Sequence, residues 1–113
     1  MKKDSVYIEH ILISINHIEE YLFNKSYLDL VQSNLIQDAV IRNFQIIGEA
    51  AKKISETFKS ENNTIPWKQM AGIRDKLVHE YTGVDLDAVW NTVKEDFPKI
   101  KKQLLVLKNN QLF

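Results

Sequence analysis

The chain has 113 residues, of which 44% are apolar and 27% charged, a length and composition that allow one packed domain over residues 1–113 and argue against two domains or extensive disorder. It contains no Cys, three Gly and two Pro, which excludes disulfides and thiolate metal sites and disfavours a fold of many short strands, while the lack of a long apolar run predicts a cytoplasmic protein without a membrane segment. Fifteen Lys and Arg balance fifteen Asp and Glu, so the net charge that steers most nucleic-acid-binding proteins is missing and any RNA contact has to be local.

Two long amphipathic helices are predicted in the first half of the chain. In chain order, the predicted segments are a helix from about Asp4 to Phe23, a short turn over 27–32, and a helix that is capped by Ser33-Asn34 and closes at 61–64. The apolar stripe of the second long helix consists of Ile36, Val40, Phe44, Ile47, Ala51, Ile54 and Phe58. Gly48 lies inside that helix, where it costs about 1 kcal/mol relative to Ala, so we expect another backbone to approach it closely.

A short helix and another long one are predicted in the second half. The short helix runs from about Pro66 to Glu80, because Pro suits the first turn of a helix, and residues 81–83 end it. Asp85 caps the long helix, whose apolar positions alternate steps of four and three. Pro98 falls inside that run, so we expect a kink rather than a stop.

Together the helical patterns predict the fold class. Four helices joined by short polar loops, with no alternation typical of strands, indicate an all-α protein. The expected architecture is an antiparallel four-helix bundle with a short motif-bearing helix. Trp67, Trp90 and Phe97 are expected in its core.

The residues that carry chemistry lie at the end of the short helix. Arg74 and His79 are five positions apart, and only Arg42 and Arg74 among the fifteen cations are Arg. The guanidinium of Arg suits a phosphate, and the imidazole of His exchanges protons near neutral pH. Together they can cleave RNA without a metal or other cofactor. The imidazole takes the proton of a ribose 2′-hydroxyl or gives one to the leaving 5′-oxygen, while the guanidinium stabilises the charge that builds on the phosphate.

Helix geometry restricts how these two side chains act together. On a continuous helix, residues 74 and 79 diverge by about 140°, so both address one phosphate only if the helix ends near His79 or if two subunits share the site. Asp75 lies four positions before His79, where it would align with the imidazole and favour its charged form. The structural alternative is an ordinary helix end, with His79 near the helix dipole, Arg74 on the surface and the ring of Tyr81 packed.

Other polar residues have both a functional and a structural interpretation. His10 and His17 share one face of the first helix, but a metal site there would need a third ligand. Arg42 and Glu49 share a face of the second helix and either line a cleft or are simply solvated. A lysine cluster near the C-terminus forms either a solvated face or an aid to RNA binding. Its members are Lys94, Lys99, Lys101, Lys102 and Lys108.

The sequence resembles the HepT-like toxins, a branch of the HEPN (higher eukaryotes and prokaryotes nucleotide-binding) superfamily. The matching segments, in the family's order, are residues 38–42, 46–52, 65–67, 72–81 and 84–86, together with Trp90. They cover most of the chain between Leu35 and Trp90. The family's Arg-x4-His-x-Tyr signature corresponds to Arg74, His79 and Tyr81, and Asp75 stands where the superfamily usually has a polar residue.

The resemblance implies a fold, an activity and a partner. HepT-like proteins are helical-bundle homodimers whose signature motifs meet in a cleft at the interface, and they act as metal-independent ribonucleases that arrest growth. Each is paired, in a type VII-like toxin-antitoxin system, with a nucleotidyltransferase antitoxin of the MntA type. That antitoxin transfers AMP from ATP to the signature tyrosine, here Tyr81. The added charge and bulk would repel an RNA phosphate from Arg74 and His79.

Two further functions are compatible with the sequence. One is a non-catalytic module that binds a nucleotide in the same cleft and regulates its nucleotidyltransferase partner, which the zero net charge favours. The other is a plain dimeric helical scaffold, which the concentration of polar residues at 72–81 disfavours. The intact motif favours the ribonuclease.

Overall fold

The protein is almost entirely helical over the residues that the computed structural model describes, which are 2–79 and 83–110, with side chains described for 3–78 and 83–110. In chain order the elements are α1 (Lys2–Tyr21), α2 (Tyr27–Gln32), α3 (Asn34–Lys53), α4 (Glu56–Glu61), α5 (Trp67–Ala71), α6 (Ile73–Leu77), β1 (Val78–His79), β2 (Gly83–Val84), α7 (Leu86–Asn91), a π-helical turn (Thr92–Asp96) and α8 (Phe97–Asn109). The predicted all-α class is therefore confirmed.

Helix α1 runs antiparallel to both α3 and α8 in a helical bundle. Near one end of α1, Asp4 bonds to Ser55 just beyond α3, whereas near the other end His17 lies against Asn43. Helices α1 and α3 therefore run in opposite directions. The same reversal relates α1 to α8, because Glu9 pairs with Lys108 and Glu19 with Lys101. The short helices α5 and α6 pack on α3 and complete the bundle.

Serine side chains cap the starts of α2 and α3. Ser26 caps α2, where its Oγ accepts from the Asp29 N–H while the Asp29 carboxylate accepts from the Ser26 N–H. Ser33 caps α3 by accepting from the Ile36 N–H at 3.1 Å. Since a serine hydroxyl satisfies an otherwise unpaired amide of the first turn, these caps set where each helix begins. The predicted short turn and the predicted cap at Ser33 are confirmed.

The predicted continuous helix through Phe58 is wrong at residues 54–55. Ile54 and Ser55 are extended, and α4 starts afresh at Glu56. The Oγ of Ser55 caps the new helix by accepting from the Phe58 N–H, while the N–H and hydroxyl of Ser55 both donate to the carboxylate of Asp4 at 2.8 Å. Because Asp4 is 1% exposed, a buried acceptor in the first turn of α1 holds the break in place.

The predicted single helix over residues 66–80 is also wrong. Helices α5 and α6 are separated by Gly72, whose backbone leaves the helical region at φ −100° and ψ 6°, and α6 ends at Leu77. Val78 is extended, and β1 pairs antiparallel with β2 in the register Val78 to Val84 and His79 to Gly83. A two-residue ladder thus replaces the last turn of the expected helix.

Gly48 lies where the sequence predicts a close approach. A Cβ at this position would stand 3.2 Å from the carbonyl oxygen of Ala71 and 3.4 Å from that of Met70. The backbone of α5 therefore lies directly on α3, and the prediction for Gly48 is confirmed. This contact sets the depth at which α5, and α6 after it, pack on the bundle.

The long C-terminal helix passes through a π-helical turn before Pro98. Asp85 caps α7, as predicted, by accepting from the Ala88 N–H at 3.0 Å. The Phe97 N–H donates to the Thr92 carbonyl, five residues back. Pro98 has no N–H and its ring would crowd the carbonyl four residues before it, which the wider turn accommodates. The helix continues past Pro98, as expected, by means of this turn.

Aromatic side chains close the core between the helices. Phe44 of α3 meets Phe97 of α8 edge to face, with ring centroids 5.3 Å apart. Trp67 is buried and its Nε1 donates to the Asn62 carbonyl at 3.1 Å. The core positions predicted for Phe97 and Trp67 are confirmed. In the part of the chain that the structure describes, no helix is long and apolar enough to cross a membrane.

Candidate active site

Helix α6 presents the charged part of the motif to solvent. Ile73 and Leu77, four positions apart, are both buried and anchor one face of the helix in the core. The three residues between them are exposed, with 45% of the Arg74 side chain accessible. Two apolar anchors thus fix a five-residue helix that would be unstable alone, and Arg74 projects from a held backbone.

The backbone of His79 lies just beyond the end of this helix. Val78 is extended, and His79 pairs with Gly83 across the two-residue ladder. Gly83 has φ +86°, a conformation that glycine adopts freely and other residues do not. The Asp85 N–H donates to the Leu77 carbonyl at 2.9 Å, so the chain returns to the end of α6. The helix ends two residues before His79. This is one of the two arrangements that would let Arg74 and His79 address the same phosphate, the other being a site shared by two subunits.

Asp75 does not have the helical relation to His79 that its spacing suggested, because α6 ends at Leu77. Its carboxylate instead lies 3.8 Å from the Arg74 guanidinium, and the Asp75 side chain is 74% exposed. An exposed pair at this distance is weak. Asp75 therefore holds the Arg74 side chain only weakly.

Part of the predicted site lies outside the described residues. This applies to the side chain of His79 and to Glu80, Tyr81 and Thr82. The roles assigned to His79 as the proton-transfer group and to Tyr81 as the acceptor of AMP stay predictions.

A cavity of about 650 Å³ lies beside α6, between α5 and α6 on one side and the π turn and α8 on the other. Its floor is apolar and includes Met70, Ile73 and Leu77. Lys76, from the motif helix, also lines it. This volume lies within the usual range for small-ligand sites.

The C-terminal lysine cluster divides between this cavity and the rest of the surface. Lys99 and Lys102 line the cavity. Lys101 and Lys108, in contrast, make ion pairs across the bundle with Glu19 and Glu9, at 2.7 and 3.0 Å. Nothing in the sequence distinguishes among the five lysines. Nor does the sequence indicate that Lys76 of the motif helix lines the same cavity as Lys99 and Lys102. The spacing of three between Lys99 and Lys102, which puts them on one helix face, was the available signal.

Lys94, the remaining lysine of the cluster, belongs to an aromatic group between α2 and α7. Its Nζ lies 4.7 Å from the ring centroid of Trp90, which Tyr27 meets edge to face. A hydrogen bond to Asp87 raises the pKa of Tyr27, with partial desolvation adding to the effect. Trp90 is only partly buried and packs against the core without being enclosed by it. The prediction that it belongs to the core is therefore confirmed only in part.

The other candidates from the sequence stand apart from α6. His10 is exposed beside the ring of Tyr7, and the Nδ1 of His17 lies 3.4 Å from the Asn43 amide oxygen. Among the described side chains, no three His, Cys, Asp or Glu residues stand close enough to hold a metal ion. Arg42 and Glu49 are exposed on α3 and do not line the cavity beside α6, which favours the solvated interpretation.

The bundle and its motif define a class of protein. A helical domain that presents an exposed guanidinium at the end of a short helix, next to a lysine-lined cavity, is suited to a phosphate-bearing ligand. The family model described as "Ribonuclease HepT-like" matches residues 11–107. The chain belongs to this family of HepT-like ribonucleases.

Relatives from several organisms match most of the chain. It is 46% identical over 95 residues to the "Probable ribonuclease HepT" of Thermococcus cleftensis, covering 84% of this chain and 86% of that protein. It is 38% identical over 104 residues to a "Putative RNase" of Caldanaerobacter subterraneus subsp. tengcongensis, covering 92% and 93%. No solved structure matches the chain.

One relative is about twice as long as the matched region. A "Gamma-glutamylcyclotransferase and putative RNase" of Methanocaldococcus jannaschii is 48% identical over 106 residues, which are 93% of this chain and 48% of that protein. The chain thus spans about half the length of this relative.

Proposed function

We propose that the protein is a metal-independent endoribonuclease, the toxin of a type VII-like toxin-antitoxin pair, with Arg74 and His79 as its catalytic residues. The observation that carries this proposal is that α6 ends at Leu77, after the exposed Arg74 and two residues before His79. A helix end removes the divergence of about 140° that a continuous helix would impose on them. The names of the HepT-like relatives support ribonuclease activity.

The chemistry needs only groups that this chain carries. The His79 imidazole removes the proton of a ribose 2′-hydroxyl, whose oxygen attacks the adjacent phosphorus. The bond from phosphorus to the 5′-oxygen breaks, and an imidazolium returns a proton to that leaving oxygen. Arg74 stabilises the negative charge on the phosphate oxygens through paired N–H donors. DNA, which lacks the 2′-hydroxyl, is expected to resist cleavage.

Regulation is proposed to act at Tyr81, in a homodimer with an MntA-type nucleotidyltransferase as partner. The phenol oxygen of Tyr81 attacks the α-phosphate of ATP held by that enzyme, pyrophosphate leaves and the phenol loses its proton. The resulting AMP group would bring negative charge to within two residues of His79, where it repels an RNA phosphate.

An RNA cleavage assay in EDTA tests the activity. Cleavage by the wild-type protein is expected to persist in chelator, and His79→Ala is expected to lower the rate by about 10²- to 10⁴-fold. His10→Ala is the matched control, because His10 is an exposed histidine on α1 and lies outside the motif. Loss of cleavage in EDTA that magnesium or zinc restores would contradict the mechanism. Absence of cleavage together with nucleotide binding would favour the non-catalytic regulatory module.

Sedimentation tests the shared-site version of the proposal. A dimer is expected at tens of micromolar protein, because a cleft between two copies would let each Arg74 act with the other motif. A monomer with full ribonuclease activity would contradict sharing and leave the helix end as the reason that the two side chains converge.

A further inference from the structure

We infer that the cavity between α5, α6, the π turn and α8 binds one nucleotide of a single-stranded RNA, next to the nucleotide that is cleaved. The inference rests on the proposed function for the identity of its ligand. The cavity would hold the base against its apolar floor and the phosphate at its lysine rim. It is thus a subsite that positions the strand, separate from Arg74 and His79.

The charge of the rim fits a phosphate. Lys76, Lys99 and Lys102 line the cavity with a single carboxylate, that of Asp96. In a protein whose total charge is zero, this is a local excess of cations in a concave surface. Low-dielectric walls strengthen the field of such a group on an anion. The charge balance of the whole chain required RNA contacts to be local, and this cavity provides such a place.

The distribution of lysines on α8 supports the same occupant. Lys101 and Lys108 are neutralised by Glu19 and Glu9 on α1. Lys99 and Lys102 line the cavity instead. One helix therefore uses its lysines in two ways: one pair ties the bundle together, and the other is directed at a space large enough for a ligand.

The floor of the cavity fits a nucleobase. Met70, Ile73, Leu77 and Ile100 form the apolar floor of the cavity, whose volume is about 650 Å³. A base has two apolar faces and a polar edge, and Gln69 at the rim supplies an amide group for that edge. The Gln103 amide nitrogen already donates to the Thr64 carbonyl at 3.1 Å, which holds Gln103 at the rim. Bases in a duplex are stacked and paired, so only an unpaired base can enter. A single strand is therefore the expected ligand.

The cavity lies within reach of the catalytic motif. Leu77, which lines it, is three positions from Arg74 on α6, so the two Cβ atoms are about 5–6 Å apart. A strand that places its scissile phosphate at Arg74 would carry a neighbouring nucleotide to the cavity. This continuity favours RNA over an acidic protein as the occupant.

Binding of a fluorescein-labelled single-stranded RNA oligonucleotide, measured by anisotropy in the His79→Ala background, tests the inference. The pair Lys99→Ala and Lys102→Ala is expected to weaken affinity about tenfold or more at low salt. It should also lower the slope of log affinity against log salt by about 0.7, the contribution of one neutralised phosphate of a single strand. The matched control is the pair Lys101→Ala and Lys108→Ala, which removes the same charge from the same helix. It is expected to change affinity less than about twofold, because these lysines pair with Glu19 and Glu9, do not line the cavity, and act on the bound strand only through solvent.

A second variant tests the cavity without changing charge. Gln69→Trp would fill the mouth of the cavity from an exposed rim position, and it is expected to weaken binding of single-stranded RNA. Duplex RNA of the same length is expected to bind more weakly than the single strand. Equal binding of both forms would overturn the base-binding part of the inference.

The outcomes separate this inference from the proposed function. Equal losses from both lysine pairs, or no loss from Lys99→Ala and Lys102→Ala, would overturn the subsite even if the wild-type protein cleaves RNA. Tight binding of AMP that RNA fails to displace would also overturn it. So would a Lys99→Ala and Lys102→Ala protein that still binds RNA but no longer binds an acidic protein that the wild type binds. Lysine-dependent binding of a strand that the wild-type protein leaves uncleaved would support the subsite and contradict the ribonuclease proposal.

Discussion

Gly48 and Ala71 bring the backbones of α3 and α5 into contact, with only 3.2 Å between the Ala71 carbonyl oxygen and the point where a Gly48 Cβ would lie. The helix that carries Arg74 follows α5 after one residue, Gly72. The placement of the motif therefore depends on a missing side chain in the middle of α3. Gly48, within the family-like segment 46–52, thus has a structural role in the site without touching it.

Substitution of Gly48 is expected to cost stability. Gly→Ala inside a helix usually gains about 1 kcal/mol, and the Ala71 oxygen should remove that gain. Gly48→Val adds more atoms at the same place and should destabilise by about 1–3 kcal/mol through overpacking. The matched control is Gly72→Ala, where the nearest atom would be 3.8 Å from the new Cβ. Urea unfolding measures the difference, and a Gly48→Val protein as stable as Gly72→Ala would contradict the close contact.

Asp4 is expected to contribute to stability from the far end of the chain. Asp4→Ala leaves the N–H and hydroxyl of Ser55 without their acceptor and should cost about 1–3 kcal/mol for each unpaired group. Glu9 lies on the same helix as Asp4, and Glu9→Ala, which breaks an exposed ion pair with Lys108 of α8, should cost less than about 1 kcal/mol. Thermal unfolding of the two variants compares them. Equal stability would show that the contact between α1 and the α3–α4 break contributes nothing.

The capping box of α2 predicts a pH dependence. Hydrogen bonds from the backbone and side chain of Ser26 lower the pKa of Asp29 below its ordinary value of 3.8. A carboxyl with a lowered folded-state pKa stabilises the protein above its unfolded pKa, and the effect is lost as the pH falls through the folded one. Asp29→Asn should therefore be less stable than wild type at neutral pH, with the difference shrinking below pH 3.8. Urea unfolding across this range tests it; a constant difference would contradict the cause, and Ser26→Ala should reduce the dependence.

Arg74→Lys is expected to impair cleavage without affecting the fold. The guanidinium is exposed and its contact with Asp75 is long, so the free energy of unfolding should change by less than about 0.5 kcal/mol. Lys keeps the charge and loses the paired donors, and the cleavage rate should fall by about 10²-fold. Arg42→Lys is the matched control, because Arg42 is the other arginine of the chain and is exposed on α3. A rate unchanged by Arg74→Lys would remove the guanidinium from the mechanism.

Tyr81→Phe tests the proposed regulation. The variant keeps the ring, loses the nucleophilic hydroxyl, and is expected to retain at least part of the ribonuclease activity while escaping modification. Intact mass after incubation with the cognate nucleotidyltransferase and ATP gives the result, and wild type should gain the mass of AMP. An equal gain on the variant would assign the acceptor to another residue. No gain on either protein would leave steric cover as the mode of inhibition.

Features that depend on nearby residues could be predicted from the sequence. The spacing of Ile8, Ile11 and Ile15 predicts α1, the hydroxyl of Ser33 predicts the start of α3, and the carboxylate of Asp85 predicts the start of α7. Each depends on hydrogen bonds or apolar faces within about one turn.

Features that depend on distant residues could not. The break at Ser55 needs the carboxylate of Asp4, 51 positions earlier, while the spacing of Ile54 and Phe58 continues a helical pattern across it. The end of α6 at Leu77 comes with pairing to β2, which no local preference indicated. The lysine-lined cavity needs the orientation of α8 relative to α6, so composition alone left its lysines undistinguished from the others.

The π turn at Thr92–Asp96 makes the length of this segment as important as its composition. A π turn holds one residue more than an α turn, and each residue rotates an α-helix by about 100°. A homologue lacking one residue here could keep Phe97 and Ile100 in the core only by keeping the wider turn elsewhere, or else by presenting a different side of α8 to the cavity. Gaps between homologues at this point should therefore coincide with a shifted lysine pattern, and a single deletion would exchange the cations of the cavity for their neighbours without any substitution.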